Sequence, residues 1–257
     1  MIVARGDRLA VAAVLLVLSL LCWLVTMQQS GGMGWGLVTM SMSMGQPFSP
    51  GNAALYITLW GVMMAAMMFP ALVPMATLFA TVSHRKRRDG QDFAPAWLFV
   101  AGYAGLWTLT GAAAYAGDLA IQSLPERIPA LQAQGMLIGG ATLAAAGAYQ
   151  LTPLKDLCLS KCRSPLGFLL NHWREGRRGA LQMGFHHGAY CLGCCWGLMA
   201  VLFVVGTMNL LWMAVLSAVI LLEKVLGRGV ALSKLVGLLL IGAGAAIIAA
   251  PALRTAA

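Results

Sequence analysis

The chain contains an uninterrupted apolar stretch at residues 54–80, which reads ALYITLWGVMMAAMMFPALVPMATLFA and has no charged side chain. A helix needs about 20 apolar residues to cross the hydrocarbon core of a bilayer, so this stretch predicts a transmembrane helix. Further apolar segments lie on both sides of it. The sequence thus predicts about seven spans, at residues 9–27, 54–80, 95–117, 132–151, 180–205, 208–223 and 230–250.

The composition of the whole chain predicts the same class. Of its 257 residues, 60% are hydrophobic and only 10% are charged, and the mean hydropathy is +0.80. A soluble domain carries roughly 25% charged residues, so this chain cannot coat a water-facing globule. We therefore expect a single all-α domain over residues 1–257, a polytopic transmembrane helix bundle. This composition argues against a soluble enzyme, a nucleic-acid-binding domain and a secreted disulfide-rich module.

The 17 Lys and Arg residues predict the orientation, because basic residues beside a span resist translocation. All except Arg127 and Arg254 fall on one side, which we assign to the cytoplasm together with the N-terminus. This predicts a multi-pass protein of the bacterial inner (plasma) membrane. Residues 28–52 then form a Met-rich external loop, and residues 152–179 form a basic cytoplasmic loop. The first span has no small-residue cleavage site before Met27, so we expect it to be retained.

The central stretch carries a group of methionines at helical spacing. Met64, Met67 and Met68, here called the methionine stripe, share one helical face. Pro70 beside them leaves the carbonyl of Ala66 without its usual N–H partner. Thioethers suit Cu(I). A methionine face on a buried helix is, however, more often packing than ligation.

The predicted external loop favours a binding role for methionine in this chain. Met40, Met42 and Met44 alternate there, in a segment where no core needs filling. Neutral thioethers can bind Cu(I) in an oxidising compartment, where free thiolates would be oxidised. We therefore expect these three methionines to bind metal.

The fifth predicted span carries the sequence HHGAYCLGCCW at residues 186–196. On a helix, His187, Cys191, Cys194 and Cys195 fall within an arc of about 100°. Ionisable side chains near the bilayer midplane are usually functional. Counted from the membrane ends, this group lies at the same depth as the methionine stripe, so we expect the two to face each other in one metal site.

A third set of soft ligands, Cys158 and Cys162, lies in the predicted cytoplasmic loop. The C-x3-C spacing suits half of a zinc site, which His172 or the span-five cysteines would complete. A disulfide is disfavoured in a reducing cytoplasm. Nearby cations favour the thiolate form that binds metal, namely Lys155, Lys161 and Arg163.

Two charged residues, Glu223 and Lys224, stand at the inner end of the sixth predicted span. We expect them to pair with each other or with Arg228. A buried carboxylate there would suggest proton coupling.

Four blocks of the chain carry a family resemblance: WxxMMAAMMxP at 60–70, YQLTPLKxxCLxxCRxP at 149–165, GxxCxGCCWxLM at 188–199 and EK at 223–224. They resemble the signature blocks of an uncharacterised bacterial family of predicted metal-binding integral membrane proteins. The resemblance implies a multi-spanning metal binder. It supplies no metal, direction or reaction, so the choice of copper rests on the ligands.

Together these features predict a membrane protein that handles a soft metal, with Cu(I) (Cu+) as the metal and zinc as the alternative. It would act as a transporter, or as a chaperone or assembly factor for a membrane cuproenzyme such as an oxidase. Two alternatives stay open: a thiol redox membrane protein that uses Cys191 and Cys194, and a structural subunit of a larger membrane complex. The chain has no nucleotide-binding glycine loop. We expect the lipid bilayer and a membrane complex as partners, no nucleic acid or nucleotide, and no catalytic residue.

Overall fold

The computed structural model describes residues 2–30, 50–90, 92–127, 134–206 and 209–255. Nearly all of these residues are helical and none is in a strand, which confirms the all-α class. Met40, Met42 and Met44 lie outside the described residues, with most of the predicted external loop. The described helices are α1 (Ile2–Ser30), α2 (Pro50–Arg88), α3 (Ala96–Arg127), α4 (Gly135–Gln150), α5 (Pro153–Arg163), α6 (Pro165–His172), α7 (Gly176–Val205), α8 (Leu210–Val225) and α9 (Gly229–Thr255).

Five of the described helices, α1, α2, α3, α7 and α9, are long and apolar enough to cross a membrane. Helices α4 and α8 cover two further predicted spans but have only 16 residues each. At the usual helical rise each extends about 24 Å, less than the roughly 30 Å of a hydrocarbon core. Five candidate spans are therefore established, and a count of about seven stays a prediction.

Helix α2 packs against α1, α3 and α8, and Pro70 within it explains the contact with α1. Pro70 leaves the carbonyl of Ala66 without an N–H donor. Ser19 of α1 donates its hydroxyl to that carbonyl at 2.8 Å. Ser217 of α8 donates to the neighbouring carbonyl of Met67 at 3.2 Å. Helices α1 and α8 are thus both joined to α2 by hydrogen bonds to neighbouring carbonyls, and of these two only the carbonyl of Ala66 lacks its helical donor.

Helix α7 packs against α3, α4, α5 and α8, and its approach to α3 depends on glycine. A Cβ atom at Gly184 would collide with the carbonyl of Phe99, and one at Gly102 would collide with the carbonyl of Leu181. Small residues at such contacts let helix backbones come close together in membrane proteins. The close approach brings Tyr103 of α3 within reach of α7.

The segment predicted as a cytoplasmic loop contains two short helices, α5 and α6. Thr152 accepts a hydrogen bond from the backbone N–H of Lys155 at 3.3 Å, and Pro153 follows it in the first turn. Both features favour a helix start. Helix α5 packs against α7 and α8, so Cys158 and Cys162 are held against the bundle by a helix.

Candidate metal centre

Three cysteines of α7 form a compact group, here called the cysteine cluster: Cys191, Cys194 and Cys195. Their spacing of three and four residues places them on one face of the helix. Their Sγ atoms all lie within 4.8 Å of one another, and each residue is at most 1% exposed. The Sγ atoms of Cys194 and Cys195 each lie 3.0 Å from the carbonyl oxygen of Cys191. Three soft donors are thus available within the span of one metal ion.

A fourth thiol reaches this cluster from α5. The Sγ of Cys162 lies 3.9 Å from the Sγ of Cys194, and both residues are buried. All six cysteines of the chain are free thiols in the structure. Cys162 therefore extends the donor set from three sulfurs on one helix to four on two helices.

The sulfur of Cys191 is contacted by polar side chains from two other helices. The ammonium of Lys224, at the end of α8, lies 2.8 Å from this Sγ. The hydroxyl of Tyr103, on α3, lies 2.9 Å from the same atom. An ammonium ion is the natural counter-ion for a buried thiolate or for an anionic metal–thiolate complex. The sulfur of Cys191 is thus contacted by both an ammonium and a hydroxyl group, whereas that of Cys194 is contacted by the thiol of Cys162.

The pairing expected for Glu223 and Lys224 is wrong. Glu223 binds Lys155 of α5, whose Nζ lies 2.8 and 3.0 Å from the two carboxylate oxygens. The two side chains are 2% and 0% exposed. Gln150 completes the group: its carbonyl accepts from Lys155, and its amide donates to Glu223 at 3.3 Å. The carboxylate of Glu223 thus accepts hydrogen bonds from Lys155 and Gln150, and Lys224 contacts the sulfur of Cys191.

The expected activation of the α5 thiols is also not observed. Burial raises the pKa of Cys158, and the nearby Cys194 raises it further. Hydrogen bonds to Cys191 and Cys194, together with burial, raise the pKa of Cys162. The basic neighbours act elsewhere, since Lys155 pairs with Glu223 and Arg163 donates to the carbonyls of Leu226 and Gly227.

His187 lies beside the cysteine cluster, outside the group of mutually close donors. It is 3% exposed and is surrounded by the rings of Phe99, Tyr103 and Phe168 at 5.2 to 5.9 Å. Its Nδ1 has no hydrogen-bond partner among the described residues. His172, considered as a closing zinc ligand, stacks on Phe168 and contacts that residue's carbonyl at 3.2 Å, and its role as a ligand stays a prediction.

The methionine stripe is buried in the same continuous core as the cysteine cluster. Met64, Met67 and Met68 are each 0% exposed. Helix α8 contacts both α2 and α7, through Ser217 near its middle and Lys224 near its C-terminal end. Direct contact between the stripe and the cysteines stays a prediction.

Two features of the centre escaped the sequence analysis: Tyr103 and the sulfur contact of Lys224. Lys224 carried a signal, since a lysine close to an apolar span either extends to the membrane interface or pairs with another polar group. Tyr103 carried none, because it is one of several aromatic residues along α3. Its role depends on the glycine-mediated approach of α3 to α7.

Comparison with known proteins assigns the chain to a family. No curated protein and no solved structure matches it. Residues 57–247, well over half of the chain, match a family described as copper chaperones, PpoB2. The matched range includes the methionine stripe, α5 and the cysteine cluster. The chain belongs to this copper chaperone family.

Proposed function

We propose that this protein binds Cu(I) at the cysteine cluster and delivers it, as a chaperone or assembly factor, to a copper-using membrane protein. The observation that carries the proposal is the convergence of three buried Sγ atoms within 4.8 Å of one another in a member of a copper chaperone family. Cys162 is the fourth donor, 3.9 Å from Cys194.

The donor set suits a soft cation. Thiolates favour Cu(I) and zinc, whereas magnesium and calcium require oxygen ligands. The neighbouring carboxylate of Glu223 is bound to Lys155 and is not offered to the site. A copper–thiolate complex carries negative charge, and Lys224 supplies a positive charge 2.8 Å from one of its sulfurs.

Thioethers provide the second part of the proposal. The methionine stripe would hold Cu(I) on its way to the cysteine cluster, and Met40, Met42 and Met44 would capture it outside the membrane. This order requires a cytoplasmic α5. An impermeant maleimide should then label a Ser43→Cys variant in intact cells and leave Cys158 unlabelled; labelling of Cys158 from outside would reverse the order.

The test of copper binding uses single Ser variants of the cysteine cluster. Protein purified under reducing, chelator-free conditions is analysed for metal and titrated against a Cu(I) chelator. Each variant removes one of several donors, so each should weaken Cu(I) binding by about tenfold or more, given that even outer-shell partners contribute about 10–100-fold. Cys22→Ser is the matched control, because Cys22 lies on α1, and it should bind copper as the wild type does.

The pattern across variants separates copper from the other functions. Graded losses at all three cysteines support ligation. Complete loss at two cysteines with no effect at the third indicates disulfide exchange, which needs only a pair. Zinc in place of copper in the purified protein would make the centre a zinc site, and metal-free protein that does not take up Cu(I) would overturn the proposal.

A further inference from the structure

Cys158 is a thiol at the surface end of a row of cysteines, and the cysteine cluster does not include it. It is half-buried on α5, four residues before the buried Cys162. Residues four apart on a helix lie side by side, with Cβ atoms about 5–6 Å apart. Cys162 in turn lies 3.9 Å from Cys194. Thiols therefore lead stepwise from the surface of α5 to the buried cluster.

Gly193 of α7 provides the space that Cys158 occupies. A Cβ atom at position 193 would lie 2.7 Å from the Sγ of Cys158, closer than two such atoms can approach. The carbonyl of Gly193 accepts a hydrogen bond from the hydroxyl of Tyr149 on α4, which fixes α7 at this point. Because Gly193 of the CxGCC motif has no side chain, the thiol of Cys158 on α5 can lie against α7 beside Cys194.

The side chains around Cys158 on α5 are exposed. Leu154 is 57% exposed and Leu157 is 64% exposed. Lys161, one turn further along α5, is also exposed. These residues share the face of α5 that carries Cys158, since they are spaced three, four and seven residues apart. A molecule that approaches this face meets Cys158 before the three buried sulfurs of α7.

We propose that Cys158 is the exchange thiol through which Cu(I) passes between a thiol-bearing carrier and the cysteine cluster, with Gly193 as the residue that positions it. This inference rests on the proposed function. It assigns Cys158 a transient role in transfer, and Cys191, Cys194 and Cys195 the role of holding the metal.

The transfer is a ligand exchange in which copper stays Cu(I). One copper–sulfur bond to the carrier breaks as one bond to Cys158 forms, and the thiol proton of Cys158 passes to the released carrier sulfur. Cys162 then replaces Cys158 on copper, and its proton returns to Cys158. Cys194, 3.9 Å from Cys162, displaces the carrier's remaining sulfur in the same way and gives that sulfur its proton. No electron is transferred, so neither an oxidant nor a reductant is consumed.

The experiment separates the rate of loading from the affinity at equilibrium. Full-length protein in detergent is mixed with Cu(I)–glutathione under anaerobic conditions, and loading is followed by stopped-flow absorption of the copper–thiolate bands. Cys158→Ser should slow loading at least tenfold and change the equilibrium affinity less than threefold. A merely structural role for Cys158 would lower stability or affinity and leave the loading rate of the folded protein unchanged.

Gly193→Ala tests the geometry with every thiol intact. The added methyl group displaces the Cys158 sulfur, which can rotate away, so we expect a folded protein that loads as slowly as Cys158→Ser. Gly105→Ala is the matched control, since nothing lies within 4 Å of a Cβ atom at that helical glycine. It should load at the wild-type rate.

Each other outcome has a distinct meaning. Loading of Cys158→Ser at the wild-type rate overturns the inference while the copper centre stands. An affinity loss as large as that of the cysteine cluster variants makes Cys158 a permanent ligand and also overturns it. Failure of the wild type to bind Cu(I) removes the proposed function itself. Should Gly193→Ala not fold, the comparison of Cys158→Ser with Cys22→Ser still decides.

Discussion

The cysteine cluster on α7 and the methionine stripe on α2 have the same spacing of three and four residues and the same burial, at most 1% exposed. They differ in what the neighbouring helices offer. Tyr103 and Lys224 direct their polar atoms at the sulfur of Cys191, whereas Ser19 and Ser217 direct theirs at backbone carbonyls of α2. Periodicity finds both rows of sulfurs, and within the described residues polar side chains of other helices contact a sulfur atom in the cysteine cluster and backbone carbonyls beside the methionine stripe.

The largest expected effect comes from removing the buried ion pair beside the cysteine cluster. Lys155→Met leaves the carboxylate of Glu223 buried without its cation, which should cost about 3–5 kcal/mol of stability. SDS-induced unfolding in detergent micelles measures this cost. We expect Cu(I) binding to weaken as well, because Lys155 and Glu223 join α5, which carries Cys162, to α8, which carries Lys224.

Two controls make the ion-pair prediction specific. Lys86→Met removes the partner of Glu175 in a pair whose side chains are 25% and 62% exposed, and exposed pairs contribute about 1 kcal/mol or less. Replacing both buried partners, Lys155→Met with Glu223→Leu, should recover much of the lost stability. A Lys155→Met protein as stable as the wild type would show that the pair does not hold α5 in place.

The ion pair also shows where sequence reasoning ends. The apolar segments predicted helices, and helical periodicity placed Cys191, Cys194 and Cys195 on one face, because both follow from local spacing. The contact between Lys155 and Glu223 joins residues 68 positions apart. It depends on which helices pack together, and neighbouring charges in the sequence predicted a different pair.

The same limit applies at the sulfur of Cys191. Tyr103 is 88 positions away in the sequence and reaches Cys191 because glycines let α3 approach α7. The cysteine motif at residues 191–195 indicated the candidate sulfur donors. It did not predict which side chains of other helices contact them. The thiols of α5 show the same limit. Nearby cations in the sequence predicted thiolates, whereas burial in the folded chain raises the pKa of Cys158 and favours its neutral thiol.

A smaller effect is expected at the polar contact beside the methionine stripe. Ser19→Ala removes the donor to the carbonyl of Ala66, which Pro70 already deprives of its N–H partner. A buried carbonyl without a partner costs about 1–3 kcal/mol. Unfolding in micelles should show this loss with copper binding unchanged, because Ser19 contacts backbone and no sulfur.

A double-mutant cycle checks the cause. In a Pro70→Ala background the N–H of residue 70 is restored, so Ser19→Ala should cost clearly less than it does in the wild type. In the wild type, Ser217→Ala should cost less stability than Ser19→Ala, because the carbonyl of Met67 can keep the N–H of Ala71 as its helical partner. Equal costs in both backgrounds would disprove the link between Ser19 and the proline.

The smallest expected change in stability, and the most direct test of the comparison, is the single replacement of Met64, Met67 or Met68 by Leu. Met-to-Leu changes conserve volume and should cost less than about 1.5 kcal/mol each, so the fold should persist. Leucine has no sulfur, and we therefore expect weaker Cu(I) binding in a chelator competition. Met213→Leu is the matched control, because Met213 is equally buried on α8 outside the stripe. If the stripe variants bind copper as Met213→Leu does, Met64, Met67 and Met68 serve only in packing. The copper site then consists of the cysteines, with Tyr103 and Lys224 beside the sulfur of Cys191.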